Sequence, residues 1–194
     1  VLSDKIENYS DVANLNYNMP NDMDSFFGQL HNDLLEKFYM EKYTSIKMTL
    51  SGKINLFDGY LSELIGVEEG LFEDIVKSNT SNIFKYLELI DDTSSDCGTA
   101  RFIINDMYKN AQITNNEKTC FLSIIDLYAD YDYGNEQKLA GLYNDLLIRR
   151  NQLSNMDISA AEERNLQIVY DIAIASTEFW NQKSQSKGWR DWAA

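Results

Sequence analysis

Residues that commonly bind transition metals or act as nucleophiles are scarce in this sequence. It contains one histidine, His31, and two cysteines, Cys97 and Cys120. Zinc sites use histidine and cysteine ligands at short paired spacings, and none of these three residues has a partner at such a spacing. The sequence also lacks a Gly-x-Ser-x-Gly elbow and a glycine-rich phosphate loop. We therefore predict no metal site and no cofactor, and no residue can be assigned a catalytic role.

Carboxylates are the abundant source of chemistry, since the 194 residues include 31 Asp and Glu against 17 Lys and Arg, a formal net charge of −14. Glycoside hydrolysis needs a pair of carboxylates but no fixed motif. A hydrolase that uses carboxylates is therefore an alternative whose residues the sequence does not identify. The same charge balance argues against nucleic acid as a partner, because phosphate backbones are bound mainly through Lys and Arg.

The elements that would position such residues are predicted to be helices. One proline in 194 residues leaves few helix breakers, and apolar residues recur at steps of three and four. These patterns predict helices over about 23–43, 52–65, 98–111, 115–130, 136–150 and 159–184, with two shorter ones opening near Val67 and Ile83. Gly66 is placed to end the 52–65 helix in a left-handed cap. No alternating strand of useful length appears.

Two helix starts carry a Ser/Thr-x-x-Glu signature, one from Thr114 to Glu117 and one from Ser159 to Glu162. In such a capping box the two side chains satisfy free backbone N–H groups reciprocally. The first box makes 98–130 a helical hairpin. The second box opens the longest helix of the chain.

That longest helix is apolar on nearly all sides between residues 166 and 180, which is typical of a central helix. Its polar residues lie on one narrow line, which we interpret as the side exposed to solvent: Arg164, Gln167, Asp171 and Glu178.

We predict an all-α fold, a compact bundle of eight or nine helices with little or no sheet around the long C-terminal helix. Residues 1–22, rich in Asn and Asp, are predicted to be a polar N-terminal tether, and 23–194 a single helical domain, with a two-lobed bundle as the alternative. No run approaches the roughly 20 apolar residues that a membrane-spanning helix needs. The sequence therefore predicts no transmembrane segment.

The most individual string of the chain runs from Gly28 to Leu35, Gly-Gln-Leu-His-Asn-Asp-Leu-Leu. His31 stands four residues after Phe27 and four before Leu35, beside the apolar face of its helix. This position indicates a half-buried histidine that holds a polar partner. The alternative is that His31 and Asn32 belong to a ligand or partner surface.

A Gly-x-x-His-Asn-x-x-Leu element after a polar N-terminal stretch resembles the start of the mature region in some uncharacterised exported bacterial proteins, including lipoproteins. Gly28, His31, Asn32 and Leu35 carry this resemblance. It implies export to the periplasm or cell surface, with a lipid tether upstream as an option, and it implies no activity. The sequence begins at Val1 rather than Met, which fits either a removed leader or a trimmed chain. A cytoplasmic location stays open.

Trp189 and Trp192 stand three residues apart near the C-terminus. Such a pair either docks on the bundle or forms a patch for a partner. We favour docking, and we keep both tryptophans with His31 and Asn32 as the candidate ligand or partner surface. The function predicted from the sequence is non-enzymatic binding of a protein partner or a small ligand at the bundle surface.

Overall fold

A computed structural model of the chain describes residues 26–40, 48–77, 82–92, 97–130 and 136–185. Within these ranges it contains eight α-helices and no strand. The helices are α1 (Phe26–Met40), α2 (Leu50–Ile65), α3 (Leu71–Lys77), α4 (Ile83–Asp92), α5 (Cys97–Lys109), α6 (Asn115–Asp130), α7 (Glu136–Gln152) and α8 (Ala160–Gln185). The predicted all-α class is confirmed.

Both ends of α2 carry side-chain or glycine caps. At its start, the Thr49 hydroxyl accepts a hydrogen bond from the Gly52 N–H at 3.2 Å. At its end, Gly66 adopts the left-handed conformation with φ 67°, and its N–H donates to the Ser62 carbonyl at 2.8 Å. The predicted cap at Gly66 is thus confirmed, because glycine enters this region without the steric cost of a Cβ.

The short helix α3 begins at Leu71, four residues later than the predicted opening near Val67. The reason is a buried carboxylate on α2, Asp58, which is 3% exposed. It accepts hydrogen bonds from the backbone N–H groups of Gly70 and of Phe72, the latter at 2.7 Å. Asp58 therefore caps the start of α3 from a distant part of the sequence, which local periodicity does not reveal.

Helices α5 and α6 form the predicted antiparallel hairpin. Arg101 near the start of α5 forms an ion pair with Asp126 near the end of α6. Closer to the turn, the Lys118 ammonium lies 4.5 Å from the centre of the Tyr108 ring. Both contacts join the two helices at matched distances from the turn.

The turn of this hairpin contains Ala111 in the left-handed conformation, with φ 53°. The Ala111 N–H donates to the Tyr108 carbonyl at 3.1 Å, and the Gln112 N–H donates to the Met107 carbonyl at 2.9 Å. This pair of bonds is a Schellman motif, which ends a helix. Ala111 therefore turns the chain, and α5 ends at Lys109, before the predicted end at about residue 111.

Helix α8 packs against α1, α6 and α7, which confirms its predicted central position. It runs parallel to α6, since Thr114 contacts Glu162 at one end and Tyr128 contacts Ala173 further along. The largest cluster of buried residues lies between α6, α7 and α8: Cys120, Ile124, Leu127, Leu142, Leu146, Leu153, Leu166, Tyr170, Ala173 and Ile174. Burial of these side chains is the main term that holds the three helices together.

The predicted tether at 1–22 lies outside the described residues, so it and the single domain over 23–194 stay predictions. Over the ranges that are described, no helix has the length and apolar character needed to cross a membrane.

Candidate functional site

Helices α1, α7 and α8 enclose a cleft of about 540 Å³. Side chains of all three helices line it, together with the backbone of one glycine. The residues that determine its chemistry are Gly28 and Asn32 on α1, Tyr143, Leu147 and Arg150 on α7, and Asp171, Ile174 and Glu178 on α8. We refer to this space as the cleft.

Two polar pairs connect α7 to α8 along the cleft. Arg150 contacts Asp171, and Tyr143, seven residues earlier on α7, contacts Glu178, seven residues later on α8. The two helices are therefore antiparallel here. Seven residues are about two helical turns, or about 10.5 Å along the axis, so the pairs lie at opposite ends of the cleft.

The α7 and α8 walls are apolar in the middle of the cleft, where the α1 wall contributes the Asn32 amide. On α7, Leu147 lies between the two polar pairs, and on α8 Ile174 does the same. Both side chains also belong to or pack against the main core cluster. The floor of the cleft is therefore continuous with the core, while its two ends are polar.

Arg150 forms a bidentate ion pair with Asp171. The guanidinium Nε donates to one carboxylate oxygen, and Nη2 donates to the other at 3.3 Å. Their side chains are only 17% and 12% exposed. The expectation that Asp171 lies on a solvent-exposed line of α8 is therefore wrong, because Arg150 from α7 covers it. Planar pairs of this kind fix the geometry of both side chains.

Tyr143 and Glu178 form the other end. Burial raises the pKa of the Tyr143 hydroxyl, and the Glu178 carboxylate raises it further through its negative charge and by accepting a hydrogen bond. Glu178 itself is exposed. This end of the cleft therefore presents a carboxylate to solvent beside a tyrosine hydroxyl.

The α1 wall approaches α8 closely at Gly28. A Cβ on Gly28 would lie 2.8 Å from the Ala175 Cβ and 2.9 Å from the Asp171 carbonyl oxygen. One of these atoms is backbone, which cannot move aside without displacing the helix. Glycine at this position therefore sets the distance between the two helices.

Asn32, one turn after Gly28, joins α1 to α8 by a hydrogen bond. Its amide nitrogen donates to the Ala175 carbonyl at 3.0 Å. Its amide oxygen lies 3.1 Å from His31 Nδ1. Because the nitrogen of this amide is the donor toward α8, the oxygen must accept, and the His31 ring carries its proton on Nδ1 in this arrangement.

His31 is half-buried, with Asn32 as its polar partner, as the sequence indicated. Burial lowers the pKa of the His31 imidazole, and the hydrogen bond to Asn32 opposes that effect in part. His31 is not among the residues that line the cleft. The described contacts give it a role in holding Asn32.

Of the four residues predicted from the sequence to form a ligand or partner surface, the structure describes His31 and Asn32, and of these two only Asn32 lines the cleft. Asn32 lies in the cleft and His31 stands behind it. Trp189 and Trp192 lie outside the described residues, so their predicted role stays a prediction. Sequence reasoning missed Tyr143, Arg150 and the cleft as a whole. The one available signal was the polar line on a helix that is otherwise apolar, which marked Asp171 and Glu178.

A second polar cluster lies where α6 and α8 begin, and both predicted capping boxes are found there. The Thr114 N–H donates to Glu117 at 2.8 Å, and the Glu117 N–H donates back to the Thr114 hydroxyl at 3.2 Å. The Ser159 N–H donates to Glu162 at 2.9 Å, and the Glu162 N–H donates to the Ser159 hydroxyl at 3.2 Å. Both boxes are confirmed.

The two boxes also bind each other, which the sequence did not predict. The Thr114 hydroxyl donates to Glu162 at 2.7 Å, and the Asn165 amide donates to Glu117 at 2.9 Å. Hydrogen bonds from Thr114 and Ser159 lower the pKa of Glu162 to about 2. We call this set of residues the capping cluster: Thr114, Asn116, Glu117, Ser159, Glu162 and Asn165.

Within the described ranges, no group of three or more His, Cys, Asp or Glu side chains could hold a metal ion. Cys97 and Cys120 are free thiols on different helices. Comparisons with protein-family models, with curated proteins and with solved structures each found no match.

Proposed function

We propose that this protein binds a small, partly apolar ligand in the cleft, and that it does so without catalysing a reaction. The observation that carries the proposal is the composition of the cleft, an apolar middle formed by Leu147 and Ile174 between two polar ends. Ligand sites typically enclose about 300 to 1,000 Å³ and combine apolar walls with a few placed polar groups. The cleft has both properties.

The polar groups of the cleft are also held in place before any ligand arrives. Arg150 is fixed by Asp171, and Asn32 is fixed by the Ala175 carbonyl. A site whose side chains are already ordered loses less entropy on binding. This supports a binding role for the cleft beyond that of a packing gap.

The hydrolase alternative would have to use the two carboxylates of the cleft, Asp171 and Glu178. The two residues lie seven positions apart on α8, at opposite ends of the cleft. Asp171 is moreover engaged by Arg150. These contacts favour binding over a carboxylate-based reaction.

Export is a separate proposal, supported by the resemblance around Gly28 to Leu35 alone. Fractionation of the native host tests it, with recovery of the protein in the periplasm or at the surface as the expected result. Recovery from the cytoplasm would contradict it and leave the cleft proposal untouched.

The binding proposal is tested by screening a library of small organic fragments while recording backbone amide resonances. We expect hits to shift residues on the three walls, including Leu147 and Ile174. Asn151→Trp places a large ring at an exposed position that lines the cleft, and we expect it to weaken the hits at least tenfold. Gln152→Trp is the matched control, since Gln152 is the next residue, is exposed and does not line the cleft.

Shifts scattered over the surface, or hits equally strong in both tryptophan variants, would overturn the proposed function.

A further inference from the structure

We infer that the ligand of the cleft is an organic cation, an ammonium group attached to an apolar body of about one ring or one short alkyl chain. This inference rests on the proposed function and adds the chemical class of the ligand. Two observations carry it, namely the charges that line the cleft and the length of its apolar middle.

The charges of the cleft favour a cation. The formal charges among its lining residues are those of Arg150, Asp171 and Glu178, which leave one net negative charge. The guanidinium of Arg150 already binds the Asp171 carboxylate through two nitrogens. An anionic ligand would therefore have to compete with Asp171 for Arg150, whereas a cation meets Glu178 at the exposed end.

The net charge of the whole chain also favours a cationic ligand. A formal net charge of −14 attracts cations to the surface and repels anions, which raises the local concentration of a cationic ligand. The effect weakens as salt is added, because exposed charges are screened within about 10 Å at 0.1 M salt.

The apolar middle limits the body of the ligand. Leu147 and Ile174 occupy the space between two polar pairs that are about 10.5 Å apart along the helices. A short alkyl chain or a single ring fits such a span, and its burial against both side chains would supply the hydrophobic part of the affinity.

The Glu178 carboxylate distinguishes an ammonium from a merely polar head group. It is exposed at one end of the cleft, where the Tyr143 hydroxyl lies beside it. An ammonium can form an ion pair with this carboxylate, whereas a neutral alcohol of the same shape can form only a hydrogen bond.

The test compares three probes that share one apolar body: hexylammonium, hexanoate and hexanol, each titrated at pH 7 while backbone amide resonances are followed. We expect hexylammonium to bind in the cleft at least tenfold more tightly than hexanoate. Glu178→Gln should weaken the binding of hexylammonium about two- to fivefold, the range expected for an exposed ion pair. Glu88→Gln, an exposed glutamate on α4 outside the cleft, should leave it unchanged.

The possible failures are distinguishable. If hexanoate or hexanol binds in the cleft as tightly as hexylammonium, or if Glu178→Gln has no effect, the cation inference is wrong while the proposed binding function stands. If none of the three probes binds, the inference is also wrong, and the outcome of the fragment screen then decides whether the proposed function fails with it.

Discussion

The capping cluster and the cleft are both polar, but their hydrogen-bonding groups are used differently. In the capping cluster each oxygen of Glu117 and Glu162 accepts a hydrogen bond from another member of the cluster. In the cleft, the polar pairs stand at either end of an unfilled apolar space, and Glu178 is exposed. A polar cluster that satisfies itself stabilises the fold, whereas an exposed carboxylate beside an unfilled space, here Glu178, is available to a ligand.

The comparison also separates local from long-range contacts. Each capping box is built from residues three apart in sequence, so it can be recognised before the fold is known. The pairs across the cleft join residues 21 and 35 positions apart, as in Arg150 with Asp171 and Tyr143 with Glu178. The four predictions below test whether the two regions contribute to stability and binding as this contrast implies.

The largest effect is expected from breaking the ion pair of the cleft. Asp171→Leu should lower the free energy of unfolding by about 3 kcal/mol, because it leaves the Arg150 charge poorly exposed and without its carboxylate partner. The double variant Arg150→Leu with Asp171→Leu should lower the free energy of unfolding by less than Asp171→Leu alone, since neither charge of the pair then remains. Urea denaturation of both single variants and the double variant measures this, and a double variant that sums the two single losses would contradict the prediction.

The next effect concerns the contact between α1 and α8. Gly28→Ala should lower the free energy of unfolding by about 2 kcal/mol, because the added methyl group overlaps the Asp171 carbonyl. Gly59→Ala on α2 is the control, since a Cβ there meets nothing within 4 Å. It should raise the free energy of unfolding by about 0.5 to 1 kcal/mol, the usual gain in a helix interior. Equal responses at the two glycines would argue against a tight contact at Gly28.

A smaller effect is expected in the capping cluster. Glu117→Ala should lower the free energy of unfolding by about 1.5 kcal/mol, because the Thr114 N–H and the Asn165 amide both lose their acceptor. Glu163→Ala, in the same turn of α8 as Glu162, should change the free energy of unfolding by less than about 0.5 kcal/mol. Binding of hexylammonium should be unchanged in both variants below their unfolding transitions. Loss of binding in Glu117→Ala would mean that the cluster and the cleft are coupled.

The smallest effect is a dependence of stability on acidity. The pKa of Glu162 is lowered to about 2 from its ordinary value of 4.5 by the hydrogen bonds that its carboxylate accepts. Its stabilising effect is therefore complete above about pH 4.5 and disappears as the pH falls toward 2. The difference in unfolding free energy between the unaltered protein and Glu162→Gln should be constant from pH 5 to 7 and shrink below pH 4. A difference that grows on acidification would contradict the assigned direction.

Much of the local structure could be predicted from the sequence. The helical class, the cap at Gly66, both capping boxes and the central place of α8 follow from periodicity and from short signatures. The failures occurred where a distant residue intervened. Asp58 moved the start of α3, and Arg150 covered an aspartate that periodicity placed in solvent.

The segment from Gly28 to Leu35 also shows which features could be predicted from the sequence and which could not. Its composition was distinctive enough to single out, and the half-buried position of His31 followed from helical spacing. The contact of Gly28 with α8 and the hydrogen bond from Asn32 to Ala175 could not be predicted from helical spacing, because both depend on where α8 lies.

The sequence by itself determined the helical class, the helix ends capped at Gly66, Thr114 and Ser159, and which helix faces are apolar, since these properties arise from contacts among residues a few positions apart. The tertiary structure alone decided the antiparallel register of α7 and α8, the close approach at Gly28 and the cleft that results. The physical reason is that apolar faces specify burial but not a partner. Only the packed arrangement determines which polar side chains meet across a helix pair and where space is left between them.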